Sequence, residues 1–198
     1  MNWLAHALLS EPDTEVRIGN VLADLVKGRE RKQMSDAFLQ GVKHHQKIDA
    51  FTDTHPVFLR SCSRVSHPYR RFAGILIDIF YDHFLASNWE QYAAIPLETF
   101  TGELYADIQA YPITFSEDVQ YALDRLIADD RLGMYQHIDG IQNTLKRISN
   151  RIESRTGRDF ELDSAITQLT DNYNALSDDF AHFFPLLITH VQACDSQL

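Results

Sequence analysis

Proline and glycine are scarce in this 198-residue chain, at six and eight residues. That supply is too small for the many turns of a β-sandwich or barrel. Cysteine is scarcer still. Cys62 and Cys194 stand far apart and in no metal-ligand spacing, so they read as two free thiols of a reducing compartment. Long apolar runs are missing: Phe72 to Phe80 and Phe180 to Ile188 are too short for a bilayer and contain Asp78 and Pro185. The opening Met1-Asn2-Trp3-Leu4-Ala5-His6 has no basic n-region and does not read as a signal peptide. A cytoplasmic protein with no membrane partner is therefore expected. A net charge of -10 argues against a nucleic-acid binder, which needs a basic excess. There is no Gly-rich phosphate loop, and neither Ser61, Ser63 nor the cysteines carry an accompanying base in a recognisable motif.

What is present is helical spacing, almost throughout. Val16 to Lys27 sets Ile18, Val21, Leu22 and Leu25 on one side, with Gly28 placed to stop the helix. Ser35 is a good N-cap for a helix carrying Phe38, Leu39, Val42 and Ile48 to about Phe51. Pro56 and Pro68 suit first helical turns, the second opening a longer helix through Ile75, Ile79 and Phe84. Helices follow around Leu97–Ala110 and Ser116–Ala128, then over Tyr135–Ser154 and Leu162–Cys194, the last to be kinked or broken at Pro185. No polar/apolar alternation is long enough for a strand, and no linker or repeat divides the chain. The expected architecture is one all-α domain over residues 1–198, a helical bundle.

The acids and imidazoles of the N-terminal half recur at helical spacing. Asn20 and Asp24 are four apart; so are His45, Asp49 and Asp53, and so are Asp78 and Asp82, with His83 adjacent. Asp78 interrupts the apolar run Gly74 to Tyr81, where a lone carboxylate is costly to bury. A cation between such groups removes that penalty, since carboxylate oxygen and imidazole nitrogen are ligands for divalent metals. The plainer alternative for any one of them is a buried Asp satisfied by a helix N-terminus or an Arg, or a His satisfied in the core. Trp3, Trp89, Phe180, Phe183 and Phe184 read as core, and His182 and His190 as structural.

Between these segments, Thr54 to Ile77 contains no Asp or Glu but holds Arg60, Arg64, Arg70 and Arg71. Such a stretch either steers an anionic partner or is a solvated helix face. Lys27, Arg29, Arg31 and Lys32 form a second basic patch.

The segments Met1 to His6, Gly19 to Asp24, Gly41 to Asp53 and Asp78 to Leu85, continued more weakly by Ile141 to Leu145 and Tyr173 to Leu176, resemble the acyl-carrier-protein phosphodiesterase family, itself similar to the HD-type metal-dependent phosphohydrolases. The resemblance implies an HD-like helical fold and hydrolysis of the phosphodiester joining 4'-phosphopantetheine to a serine of holo acyl carrier protein, with Mn2+ or Mg2+. On that resemblance, Asp24, His45, Asp49 and Asp78 are the expected metal ligands. Asp24, Asp82 and His83 are the expected catalytic groups, and His6, Asn20 and Asp53 further site residues. Arg60, Arg64, Arg70 and Arg71 are the expected carrier-binding surface. Gln46-Lys47 stands where the family usually has a basic pair, and the α-helix bearing His45 has no contiguous His-Asp. The competing expectations are a phosphohydrolase acting on a nucleotide or other small phosphoester, and a non-catalytic helical binding protein. Oligomeric state has no sequence signature here.

Overall fold

The computed structural model describes residues 1–195, and side chains as far as residue 193. Among the described residues there is no strand. The helices are α1 (Trp3–Leu8), α2 (Thr14–Leu22), α3 (Gly28–Arg31), α4 (Asp36–Thr54), α5 (Pro56–Arg64), α6 (Ala73–Ser87), α7 (Leu97–Ala110), α8 (Glu117–Ala128), α9 (Ile138–Thr156), α10 (Ile166–Asp171) and α11 (Tyr173–Asp195). The all-α class expected from composition and periodicity holds. No helix among these residues is long and apolar enough to cross a membrane. Cys62 is a free thiol; the side chain of Cys194 lies outside the described residues.

Several helix ends follow local chemistry. The Ser35 hydroxyl accepts the Phe38 N–H at 3.1 Å, and Asp13 accepts that of Val16 at 3.0 Å. Pro56 is the first residue of α5, and Gly157, at φ 68°, ends α9 in the left-handed region.

Three ends differ from the sequence expectation. Helix α2 stops at Leu22, not Lys27: the Leu22 carbonyl takes both the Leu25 and Val26 N–H groups, each at 2.9 Å. The Arg31 guanidinium then holds the Ala23 and Val26 carbonyls, so a cap from the next short helix closes this end before Gly28 is reached. Pro68 opens only a 3-10 turn, Tyr69–Phe72, and α6 begins at Ala73. The C-terminal stretch breaks at Asn172, whose side-chain amide donates to the Gln168 carbonyl at 3.0 Å. Helix α11 instead runs on across Pro185. Pro185 and Ala181 are both exposed, so water can serve the carbonyl left without an N–H partner.

Helix α6 is the centre of the molecule. Ile79, Phe80, Tyr81, Phe84 and Leu85 are all buried on it, and Phe180 and Phe183 of α11 pack against it. Asp179 of α11, 3% exposed, ties α5 to this core. It accepts from Arg60 at 2.6 Å, Arg64 at 3.1 Å and Ser61 at 2.8 Å, while the Ser61 hydroxyl also meets that of Tyr81. Burial alone would raise the Asp179 carboxyl; the two guanidinium groups and Ser61 outweigh it and lower it.

On the other flank α2 and α4 touch backbone to backbone. A Cβ on Gly19 would stand 2.1 Å from the Phe38 carbonyl oxygen, and one on Gly41 2.0 Å from that of Val16. Only glycine permits this approach, and the approach brings the Asn20 carbonyl to His45. Gly41→Ala is expected to lower stability by about 3 kcal/mol, because two rigid backbones must separate. Urea unfolding checks it, and a loss below about 1 kcal/mol would show that the helices slide apart freely.

Candidate metal centre

Helix α4 continues to Thr54, so His45, Asp49 and Asp53 do lie along one stripe of it. The imidazole of His45 lodges under α2, where Nδ1 meets the backbone carbonyl of Asn20 at 2.9 Å. A carbonyl can only accept, so Nδ1 carries a proton, and in the neutral imidazole Nε2 presents a lone pair. That Nε2 points at acceptors, 3.0 Å from Asp49 Oδ2 and 3.7 Å from Asp24 Oδ2.

His6, on α1, is fully buried and stacks on His45 with ring centroids 3.9 Å apart. Asn20 fixes its tautomer too. The Asn20 amide nitrogen donates to the His6 carbonyl at 2.9 Å and to Ser10 Oγ at 2.8 Å. Its oxygen is thereby left to accept from His6 Nδ1, 2.9 Å away. His6 Nε2 then faces only the Met1 carbonyl and Asp49 Oδ1, each at 3.2 Å. Burial pushes the His6 imidazole down to about 4, further below neutrality than the Asp49 contact can offset. It is uncharged at neutral pH.

With both imidazoles in the neutral form, two Nε2 lone pairs would meet one carboxylate. His6, His45 and Asp49 each bring a ligand atom within 4.8 Å of the others. Repulsion among convergent acceptors is relieved by a cation, and nitrogen and carboxylate donors of this kind fit a divalent metal. A single residue, Asn20, sets both imidazoles, one through its side chain and one through its backbone, as outer partners of metal-binding histidines commonly do.

The other expected residues lie around this cluster in different settings. Asp24 falls just past the end of α2, not on its face, and is 65% exposed with Lys27 at 3.3 Å. It stands at the solvent side of His45. Asp53 is exposed farther along α4. Asp78, on α6, is reached by the Met1 ammonium, which lies 2.9 Å from its Oδ1 and 3.4 Å from Asp49 Oδ1. The Asp78 contact is one of charge, for that oxygen has no aligned hydrogen bond. Burial alone would lower the ammonium; Asp78 and Asp49 outweigh it and raise it to about 10. Asp78 itself is raised by burial. No spacing in the sequence points to this ammonium, because a chain terminus carries no pattern.

Asp82 is fully buried and caps α1: Oδ2 accepts the Leu4 N–H at 2.8 Å and Oδ1 that of Ala5 at 3.2 Å. This is the helix N-terminus alternative, realised. Burial nevertheless raises its carboxyl to about 7. His83 turns to another face of α6, its Nδ1 2.8 Å from the Tyr135 carbonyl and Nε2 3.1 Å from the Tyr173 hydroxyl. Arg60 and Arg64 are engaged by Asp179. Arg71 lies over the Phe160 ring at 4.0 Å, and Arg70 is exposed.

The profile described as acyl carrier protein phosphodiesterase matches residues 1–187, a span that includes every group just described. The chain belongs to the acyl carrier protein phosphodiesterase family. Curated relatives carrying that name include one from Salmonella paratyphi A, 30% identical over 192 residues, covering 95% of this chain and 96% of the relative. Those from Salmonella agona and Salmonella newport are 31% identical over 194 residues, covering 95% of this chain and 96% of each relative. No solved structure matches the chain. Within the family's matched span, the His6–His45–Asp49 cluster is the set of side chains among the described residues suited to hold a metal.

Proposed function

We propose that this chain hydrolyses the phosphodiester between 4'-phosphopantetheine and the serine of holo acyl carrier protein, giving apo carrier protein and 4'-phosphopantetheine in the cytoplasm. The reaction would run at a divalent metal held by His6 Nε2, His45 Nε2 and Asp49. The observation that carries the metal assignment is the convergence of two Nδ1-protonated imidazoles on one carboxylate. Family membership supports the substrate. Two imidazoles in the donor set favour Mn2+ over Mg2+, which prefers oxygen and water.

A bound divalent cation supplies neutralisation of charge on phosphoryl oxygens and lowers the pKa of water. The protein's own groups do the rest. Asn20 keeps both imidazole lone pairs pointing inward. Asp24, exposed beside His45, accepts a proton at Oδ2 from the attacking water. Asp78 and Asp53 extend the acidic wall, and Asp82 fixes the α1 N-terminus and through it His6. His83 serves as a packing and positioning residue under Tyr135.

An acidic carrier needs a local positive surface. Lys27, beside Asp24, is exposed, as are Arg29 and Lys32 along the segment that follows, and Arg70 is exposed at the 3-10 turn before α6. Arg60 and Arg64 serve that face chiefly by bracing α5 against Asp179. The double substitution Arg70→Glu/Arg71→Glu is expected to raise KM for holo carrier protein at least about 10-fold while sparing a small phosphodiester. Equal loss on both substrates, measured by steady-state kinetics, would assign these residues to structure instead.

The function itself is tested by incubating the protein and Mn2+ with holo acyl carrier protein and following the carrier by mass spectrometry. Conversion to the apo form, abolished by EDTA, is expected. An intact carrier, alongside hydrolysis of a free nucleotide, would overturn the reading.

A further inference from the structure

Beside the 3-10 turn Gly133–Gln136 lies a concavity of about 360 Å3, lined by none of the residues of the metal centre. Arg125, Arg131 and Arg147 line it around a single carboxylate, Asp129. Arg125 reaches Asp129 Oδ1 at 2.9 Å and Arg131 reaches Oδ2 at 3.3 Å. Arg147 has no carboxylate partner among the described residues; its Nη2 donates to Thr144 Oγ1 at 2.8 Å, and Thr144 in turn donates to the Gly140 carbonyl. Three guanidinium groups against one carboxylate leave a surplus of two positive charges, on an otherwise acidic protein.

These arginines are also held in place. Arg131 is only 16% exposed and is pinned to Asp129 through both Nε and Nη2. Arg147 is half-buried on the α9 stripe that also carries Gly140 and Asn143. Burial and the neighbouring Arg131 lower its pKa, so its charge is held where it is unfavourable. Like charges fixed together in a pocket, with most of their N–H donors unused, are the arrangement that a multivalent oxyanion satisfies. Nothing in the proposed chemistry uses this pocket. Met134 lines it, while the next residue, Tyr135, turns the other way to meet Asn2 and His83.

We propose that Arg125, Arg131 and Arg147 form a binding site for a phosphate dianion, either inorganic phosphate or the phosphate end of a phosphomonoester. The surplus of two charges matches a dianion, and the forked guanidinium donors match the tetrahedral oxygens better than a single flat carboxylate would.

The test is isothermal titration of the full chain in EDTA and at low ionic strength, so that no metal recruits the anion. Saturable binding of inorganic phosphate below about 10 mM is expected. Arg147→Met, which keeps the aliphatic stem, should weaken it at least about 10-fold. Arg125→Met, at a half-exposed position with little bearing on folding, should also weaken it, whereas His45→Ala should not. Phenyl phosphate is the second arm. Equal or tighter binding than inorganic phosphate assigns the site to phosphomonoesters, and exclusion of phenyl phosphate assigns it to the free ion. No saturable phosphate binding, binding unchanged in both arginine variants, or equal binding of succinate would overturn the proposal. So would binding of poly-glutamate alone, which would mark the patch as a protein-docking surface.

Discussion

His45→Ala is expected to lower Mn2+ affinity more than about 100-fold and kcat/KM on holo carrier protein about 1000-fold, roughly 4 kcal/mol of transition-state stabilisation. Removing an outer partner of a metal-binding histidine already costs about 10–100-fold in affinity, and loss of the ligand itself must exceed that. Asp49→Ala should do the same, since its two oxygens face the two Nε2 atoms separately. Asn20→Ala supplies the graded comparison. It keeps all three donors but frees the His6 tautomer, while the backbone carbonyl that holds His45 remains, so a loss of about 10–100-fold is expected. Titration of the free Mn2+ signal by electron paramagnetic resonance measures all three. A His45→Ala protein that binds Mn2+ like the wild type would place the metal elsewhere.

Asp82→Ala should lower folding stability by about 3 kcal/mol at pH 5. The substitution leaves the Leu4 and Ala5 N–H groups without their acceptor in a fully buried place. The size of the loss should depend on pH, with a sign that follows from burial. The folded carboxyl is raised to about 7, from an ordinary value of 3.8. The native state therefore binds a proton that the unfolded state has already released across that window. Its stabilising contribution is complete below about pH 4 and is lost as pH rises towards 7, at about 1.4 kcal/mol per pH unit. Between pH 5 and 8 the wild type should lose about 2–3 kcal/mol that the alanine variant does not. The gap between the two proteins should then fall below about 1 kcal/mol at pH 8. His6 titrates in both proteins and cancels in the difference. Urea unfolding in EDTA at the two pH values checks this, and an equal gap at both would mean that Asp82 stays charged in the folded protein.

Local spacing carried the fold class and set several candidate residues on shared helices. His45, Asp49 and Asp53 do share a stripe because α4 runs to Thr54, and Asp78 and Asp82 both lie on α6. The roles that spacing left undefined depend on partners distant in sequence. His6 sits in a six-residue helix with no acidic neighbour four positions away, and its Nε2 finds Asp49 only when the chain folds back. Asp82 interrupts an apolar helix just as Asp78 does, yet one caps α1 and the other faces an ammonium. Asp24 lies past the end of α2, where Arg31 reaches the Ala23 and Val26 carbonyls, a contact that no helical periodicity encodes. Arg60 and Arg64 find Asp179 more than a hundred residues downstream. Periodicity reads what a helix presents along its own length, and pairing across the core is invisible to it.

The sharpest single measurement is anomalous diffraction at the manganese edge from crystals grown with Mn2+. One strong peak bounded by His6 Nε2, His45 Nε2 and the Asp49 carboxylate is predicted. A peak at Asp53 or any other acidic surface, or no peak while the crystals still release 4'-phosphopantetheine from holo carrier protein, would contradict it.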